Sequence, residues 1–176
     1  MKKLIYPVLG LAIALSVQSC DNWKAKYLNE KSLVDEPGME FLKGSVEGGM
    51  TEIAASKLAV ANSTNPEVVE FAKMMITDHS KANHALDSIK FDQYVTGKDT
   101  ISDEHQVILD SLATKKGADF DKAYIAMMVK DHEGAVDLFT EASTDKNSHI
   151  HYFAENTLPT IKEHLEKAEE LQKSLK

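Results

Sequence analysis

The stretches MMITDH, residues 74–79, and MMVKDH, residues 127–132, share a Met-Met pair, an Asp-His pair and the spacing between them. Outside these stretches the two halves of the chain show little likeness. Each copy lies in a segment whose apolar residues recur at intervals of three, four and seven, which predicts two amphipathic α-helices. Whether the repeat serves packing or chemistry depends on how these helices are arranged.

The same periodicity predicts four long helices and one short helix. The turns after the first and fourth helices are short, whereas a connection of about 26 residues joins helices 2 and 4 and contains the short helix 3. This pattern is typical of a four-helix bundle with one crossover. The predicted all-α fold therefore consists of helices at about 39–62, 66–91, 102–115, 118–143 and 147–175.

A crossover helix that runs back along the bundle makes helices 2 and 4 point the same way. The two copies of the repeat are then predicted to lie side by side at a similar height. His79 and His132 fall on the apolar faces of their helices, and His164 continues the apolar stripe of helix 5. Helix 1, antiparallel to helix 2, brings Glu52 to a matching depth, so three imidazoles and one carboxylate are predicted to meet inside the bundle.

This set of side chains indicates a metal site. Imidazole and carboxylate are ordinary ligands of first-row divalent metals, so zinc, copper or iron is the predicted ion. Asp78 and Asp131 point about 100° away from the adjacent histidines, which favours hydrogen bonds to imidazoles on other helices over metal ligation. The Met-Met pairs are most simply core residues, with copper(I) ligation as the alternative.

The same residues also fit a structural interpretation without metal. Buried polar groups must be paired, and Asp-His hydrogen bonds between helices would fix the helix register. Spacing alone does not separate the two hypotheses. The other four histidines are predicted at the surface; they are His84, His105, His149 and His151.

Missing motifs exclude several chemistries. Di-iron carboxylate bundles need Glu-x-x-His on two helices, and no Glu-x-x-His occurs in this chain. The sequence has no Cys-x-x-Cys-His for covalent haem and no glycine-rich phosphate loop. Neither His79 nor His132 has a nucleophilic serine or cysteine on its face. No catalytic residue and no organic cofactor is predicted, and the protein is not expected to be an enzyme.

The N-terminus has the pattern of a bacterial lipoprotein signal. Lys2 and Lys3 precede an apolar run that ends near Val17, and the only cysteine, Cys20, follows shortly after it. The predicted organisation is a signal peptide at 1–19, a lipidated Cys20 with a flexible tether at 20–38, and the bundle at 39–176. The predicted contact with a membrane is through this lipid; the alternative for Cys20 is an unmodified thiol.

The charge of the chain argues against nucleic acid as a partner. The net charge is −8, and removal of the two lysines of the signal peptide lowers it to −10. All 20 basic residues are lysine, so the guanidinium clamps that often hold phosphate are missing. Nucleic-acid and nucleotide chemistry are therefore not expected.

Four longer stretches together resemble the bacterial domain-of-unknown-function family DUF4142 over about residues 39–174. This resemblance implies a ferritin-like four-helix bundle in the cell envelope, in the outer membrane and facing the periplasm, and it implies no activity. It equates Glu52, both Asp-His pairs and His164 with positions of the family pattern. The stretches are FLKGSVEGGMTEIAASKLA at 41–59, FAKMMITDHSKAN at 71–83, FDKAYIAMMVKDHEGAVDLF at 120–139 and FAENTLPTIKEHLEKA at 153–168.

A redox enzyme with a di-metal centre would need more carboxylates near the histidines than the sequence places there, so two functional hypotheses remain. In the first, a lipid-anchored envelope protein binds a transition metal between its helices, for sequestration or stress protection. In the second, the protein is a structural or interaction module whose Asp-His pairs only fix helix packing. Its protein partners are not predicted.

Overall fold

The computed structural model describes residues 32–175. Helices make up most of this range, none of its residues forms a strand, and none of its helices is long and apolar enough to cross a membrane. The all-α prediction is confirmed, whereas the predicted signal peptide and Cys20 lie outside the described residues. The helices are α1 Glu36–Asn62, α2 Pro66–Asp92, α3 Asp103–Ala113, α4 Gly117–Ala142 and α5 Ser148–Ser174.

Capping residues determine where the helices begin. Asn65 precedes α2 and accepts a hydrogen bond from the backbone N–H of Glu67, while Pro66 occupies the first helical position. Ser102 caps α3, and Asn147 caps α5 through two backbone N–H groups. Such caps satisfy N–H groups that the first turn of a helix leaves unpaired.

The start of α1 corrects one predicted boundary. Asp35 caps this helix by accepting from the N–H of Gly38 at 3.2 Å, and Pro37 lies in the first turn. An Asp-Glu-Pro-Gly sequence predicts a turn, but Asp before Pro is equally a helix-start signal. Val34 is also buried. The end of the predicted tether at 20–38 therefore belongs to the bundle.

Ring contacts give the relative direction of α2 and α4. Phe71 and His79 of α2 lie against Tyr124 and His132 of α4, so equal steps along both helices keep them in contact and the helices are parallel. The order around the bundle is α1, α2, α5, α4, with α3 outside against α1 and α4. The repeats therefore meet across a diagonal and not side by side as predicted, because α1 and α5 pack between the two helices.

The core consists of two apolar halves with a polar layer between them. One half includes Phe71, Tyr124 and Met128, and the other includes Phe41 and Phe139. Burying a large apolar side chain stabilises a fold by about 1.5–3 kcal/mol. Each half contains several such side chains, so both halves stabilise the packing of the helices. The intervening layer is formed by Glu52, His79, His132 and His164.

Candidate metal centre

Three histidines meet in the polar layer. His79 from α2, His132 from α4 and His164 from α5 have ring centroids 5.4 to 5.6 Å apart. Their side chains are buried, and one ring nitrogen of each lies within 4.8 Å of the other two. The structure therefore brings together the three histidines that the sequence predicted as ligands.

Glu52 of α1 lies beside these histidines. Its Oε2 is 3.0 Å from Nε2 of His79, and its Oε1 is 3.3 Å from Nδ1 of His132. The carboxylate is not part of the group of atoms that all lie within 4.8 Å of one another. Glu52 thus contacts two of the three imidazoles.

Hydrogen bonds on the outer sides of two rings indicate their tautomers. Nδ1 of His132 lies 2.9 Å from the backbone carbonyl oxygen of Met128, and Nε2 of His164 lies 3.3 Å from Oδ2 of Asp78. Because both oxygens only accept, we assign the ring proton to these nitrogens. Metal-binding imidazoles in proteins are usually oriented by such bonds. The opposite nitrogen of each ring then carries the free lone pair.

Each of the three rings has one buried nitrogen without a hydrogen-bond partner in the described part of the chain. These atoms are Nε2 of His79, Nε2 of His132 and Nδ1 of His164. The approach of Glu52 to Nε2 of His79 does not have the geometry of a hydrogen bond. An unpaired buried polar atom costs roughly 1–3 kcal/mol, so three in one layer need an explanation. A metal cation satisfies three lone pairs at once.

Burial keeps the three imidazoles in the neutral form that binds metals. Desolvation, helped by the neighbouring imidazoles, lowers the pKa of His79 to about 3 and that of His132 to about 4. Desolvation also lowers the pKa of His164, against the opposing effect of Asp78. Burial raises the pKa of Glu52 well above its usual value, and the charges of Asp131 and Glu47 add to this effect. A bound cation would favour the ionised form of Glu52.

The two aspartates of the repeat have different surroundings. Asp78 reaches across to His164 of α5, as predicted for an acceptor on a neighbouring helix. Asp131 contacts none of the three imidazoles, so the same prediction is wrong for it. It lines a cavity together with Glu47 and His105. The difference arises because α5 packs beside Asp78, whereas α1 and the crossover helix flank Asp131.

The methionine pairs of the repeat lie in the apolar half of the core next to the histidines. Met75 and Met128 are fully buried there, and Met127 is nearly so. Sδ of Met74 lies 3.4 Å from the ammonium group of Lys167. These positions favour the packing interpretation of the Met-Met pairs.

The remaining histidines divide into two groups. His84 and His149 are exposed, as predicted. His105 and His151 are half-buried and paired, so the surface prediction does not describe them. Nδ1 of His105 lies 2.7 Å from Oε1 of Glu47, and Nδ1 of His151 lies 2.5 Å from the carbonyl oxygen of Ser143. The pair of His105 and Glu47 was not foreseen, because it depends on how α3 docks.

Comparisons with known proteins agree with this fold. The sequence profile of DUF4142, a domain of unknown function, matches residues 27–171. The structure is similar to the crystal structure of a DUF305 fragment from Deinococcus radiodurans, with a TM-score of 0.72 and 12% sequence identity. That alignment covers 80% of this chain and 97% of the other, and at this identity it concerns the fold alone. Among curated proteins, none matches the sequence significantly.

Proposed function

This chain belongs to the DUF4142 family, whose members share a domain of unknown function, and from its own site we propose that it holds one divalent transition-metal ion between His79, His132 and His164. The observation that carries the proposal is the group of three buried histidines, of which one ring nitrogen each lies within 4.8 Å of the other two and one ring nitrogen each has no hydrogen-bond partner. Zinc, copper and iron suit imidazole ligands. Titration of the metal-free protein tests the proposal, since about one equivalent should bind.

The distances suit such a site after small ring movements. Zinc–nitrogen bonds of about 2.0–2.1 Å place tetrahedral ligands about 3.3 Å apart. The three nitrogens lie within 4.8 Å of one another, so modest rotations of the rings would bring them to this spacing. Nε2 of His79 and Oε2 of Glu52 are already 3.0 Å apart. We therefore propose Oε2 of Glu52 as a fourth ligand, while Oε1 stays 3.3 Å from Nδ1 of His132.

The contacts of Asp78 and Glu52 also support the second hypothesis, in which polar pairs only fix the packing of the helices. A purely structural network is stable when each of its buried atoms has a partner. Three ring nitrogens of this layer have none among the described residues. The metal hypothesis explains these atoms and the network hypothesis does not.

The biological role that we propose is sequestration of a metal ion or protection against metal stress. Catalysis is not part of the proposal, because the sequence places no nucleophile next to the histidines. Their pKa values, lowered by burial, leave the imidazoles neutral near neutral pH, so an ion can bind without displacing protons from them.

Replacing Asp78 with alanine should weaken metal binding by about 10- to 100-fold, because the ring of His164 loses the acceptor that fixes its tautomer and orientation. The matched control is Asp87→Ala, which removes an aspartate at an exposed position of the same helix. Competition with a chromophoric chelator measures both affinities. Equal losses in the two variants would contradict the role assigned to Asp78.

We also propose export and lipid anchoring through Cys20, which the signal-like sequence before it supports. The described chain starts at one end of the bundle, where the N–H of Leu33 donates to the carbonyl oxygen of Gln93. Leu33 and two residues that flank Gln93, Phe91 and Tyr94, are large, apolar or aromatic, and exposed. Such side chains suit contact with a bilayer interface.

Cys20→Ser should abolish incorporation of labelled palmitate and should move the protein out of the membrane fraction. The reason is that the thiol is the only acceptor for a thioether-linked lipid, and this chain has one cysteine. A Ser19→Ala variant, which keeps the thiol and a small residue before it, serves as the control. Unchanged labelling of Cys20→Ser would reject lipid anchoring at this residue.

A further inference from the structure

A cavity of about 330 Å³ lies beside the three histidines. His79, His164 and Glu52 are part of its wall, so residues of the candidate metal site border this space. Small-molecule pockets typically measure about 300–1,000 Å³, whereas a water molecule occupies about 30 Å³. The cavity is therefore large enough for a ligand of several heavy atoms.

Two glycines contribute to the wall of this cavity. Gly48 of α1 and Gly134 of α4 both line the cavity, and a Cβ atom added to either would meet no other atom within 4 Å. A glycine within a helix costs roughly 0.5–1 kcal/mol relative to alanine. Close packing of α1 against α4 does not require glycine at these two positions.

Two residues of the cavity wall each have a buried polar atom without a hydrogen-bond partner in residues 32–175. These atoms are Oγ of Ser45 and Oδ1 of Asn83, and both residues line the cavity. The amide nitrogen of Asn83 donates to the carbonyl oxygen of Val46 at 3.5 Å, which identifies the other amide atom as the oxygen. Oδ1 is an acceptor only, so a partner for it must carry an N–H or O–H group.

We infer that the bound metal keeps a coordination position open to this cavity, and that a small neutral molecule with a nitrogen or oxygen lone pair and an N–H or O–H group binds there. The inference rests on the proposed function. Three imidazoles and one oxygen of Glu52 supply at most four ligands. First-row metals in sites of this kind accept a further ligand, and even zinc expands to five-coordinate geometry.

The charges of the cavity wall favour a neutral ligand over an anion. The carboxylates of Glu47, Asp78 and Asp131 line the cavity, and Lys130 is its only lysine within the described chain. A phosphate or another multiply charged anion would face these carboxylates without a guanidinium group to hold it. A neutral molecule meets no such repulsion, and its donor group can pair with Oδ1 of Asn83 or Oγ of Ser45 once that side chain rotates toward the cavity.

The test uses cobalt(II)-loaded protein, whose visible absorption responds to the ligands of the ion, with imidazole and inorganic phosphate as probes. Imidazole should change the spectrum in a saturable, one-to-one manner while the cobalt content stays constant, and phosphate should not. Ser45→Leu, which fills the cavity, should still bind cobalt but should bind imidazole at least about tenfold more weakly. Ser88→Leu, at an exposed position of α2, is the control.

Each alternative result overturns a defined statement. A cobalt spectrum that imidazole leaves unchanged would reject the open position and leave the proposed metal site standing. Equal responses to imidazole and phosphate would reject the neutral ligand class. If Ser45→Leu does not fold, Asn83→Leu replaces it, since leucine has a similar size and removes the acceptor. If a folded variant with leucine at position 45 or 83 binds imidazole as the wild type does, the cavity is not the place where imidazole binds. Failure of the wild-type protein to bind any metal would reject the proposed function itself.

Discussion

The double variant His79→Ala with His132→Ala is expected to bind no metal, whereas the metal-free wild-type protein should take up about one equivalent of zinc or copper(II). The variant lacks two of the three ring nitrogens that face one another. An ion at 1,000 times its dissociation constant stabilises a protein by about 4 kcal/mol. For a domain of this size the melting temperature should rise by roughly 8–16 °C. Titration calorimetry and thermal unfolding measure the two effects.

Two further variants make this experiment decisive. His84→Ala with His149→Ala removes two exposed histidines and should leave both uptake and stabilisation unchanged. Because His132 is fully buried, replacing it with alanine can unfold the protein. A double variant with glutamine at positions 79 and 132 keeps more of the side-chain volume, and circular dichroism shows whether it is folded. Full metal uptake by a folded variant that lacks both imidazoles would contradict the proposed function.

The metal-free protein is expected to lose stability steeply as the pH falls from about 6.5 to 4.5. The three imidazoles have pKa values below their ordinary value of 6.5 in the folded protein, so acid protonates them in the unfolded chain first. Their contribution to the free energy of unfolding is therefore complete above pH 6.5 and declines below it. Each proton that the unfolded chain binds and the folded protein does not lowers the free energy of unfolding by about 1.4 kcal/mol per pH unit.

Glu52 acts in the opposite direction over the same range. Its pKa is raised above the ordinary value of 4.5, so the folded state holds a proton that the unfolded chain has released. Three imidazole protons against one carboxyl proton leave a net slope of at most about 3 kcal/mol per pH unit. Most domains have about 5–15 kcal/mol of stability, so the protein should unfold within this range or close to it.

Urea unfolding of the metal-free protein at several pH values measures this slope. The variant His79→Leu with His132→Leu should show a clearly smaller slope, because leucine takes up no proton. His84→Leu is the matched control at an exposed position and should keep the wild-type slope. If both variants have the wild-type slope, the buried imidazoles are not responsible for the acid sensitivity.

Much of the fold could be predicted because its determinants are local in sequence. Periodic apolar residues and the caps at Asn65 and Ser102 define helices without reference to the rest of the chain. The start of α1 was predicted three residues too late, because Asp35 and Pro37 fit both a turn and a helix start. The order of helices around the bundle was not predictable from spacing, since it depends on which apolar faces pack together.

The candidate site likewise has one part that could be predicted from the sequence and one part that could not. His79, His132, His164 and Glu52 could be predicted because each lies on the inward face of a long helix at a depth that sequence offsets approximate. The separate surroundings of Asp131 could not, since they depend on where α3 docks and on the diagonal position of α2 and α4. The cavity depends on what neighbouring side chains leave empty, which sequence periodicity does not report.

The central claim is tested most directly by the crystal structure of the zinc- or copper-loaded protein, with the ion located by anomalous diffraction at its absorption edge. We expect one anomalous peak in the polar layer, about 2.0–2.1 Å from a ring nitrogen of each of His79, His132 and His164. A peak elsewhere, for example beside His105 and Glu47, or no peak among the three rings at saturating metal, would contradict the account.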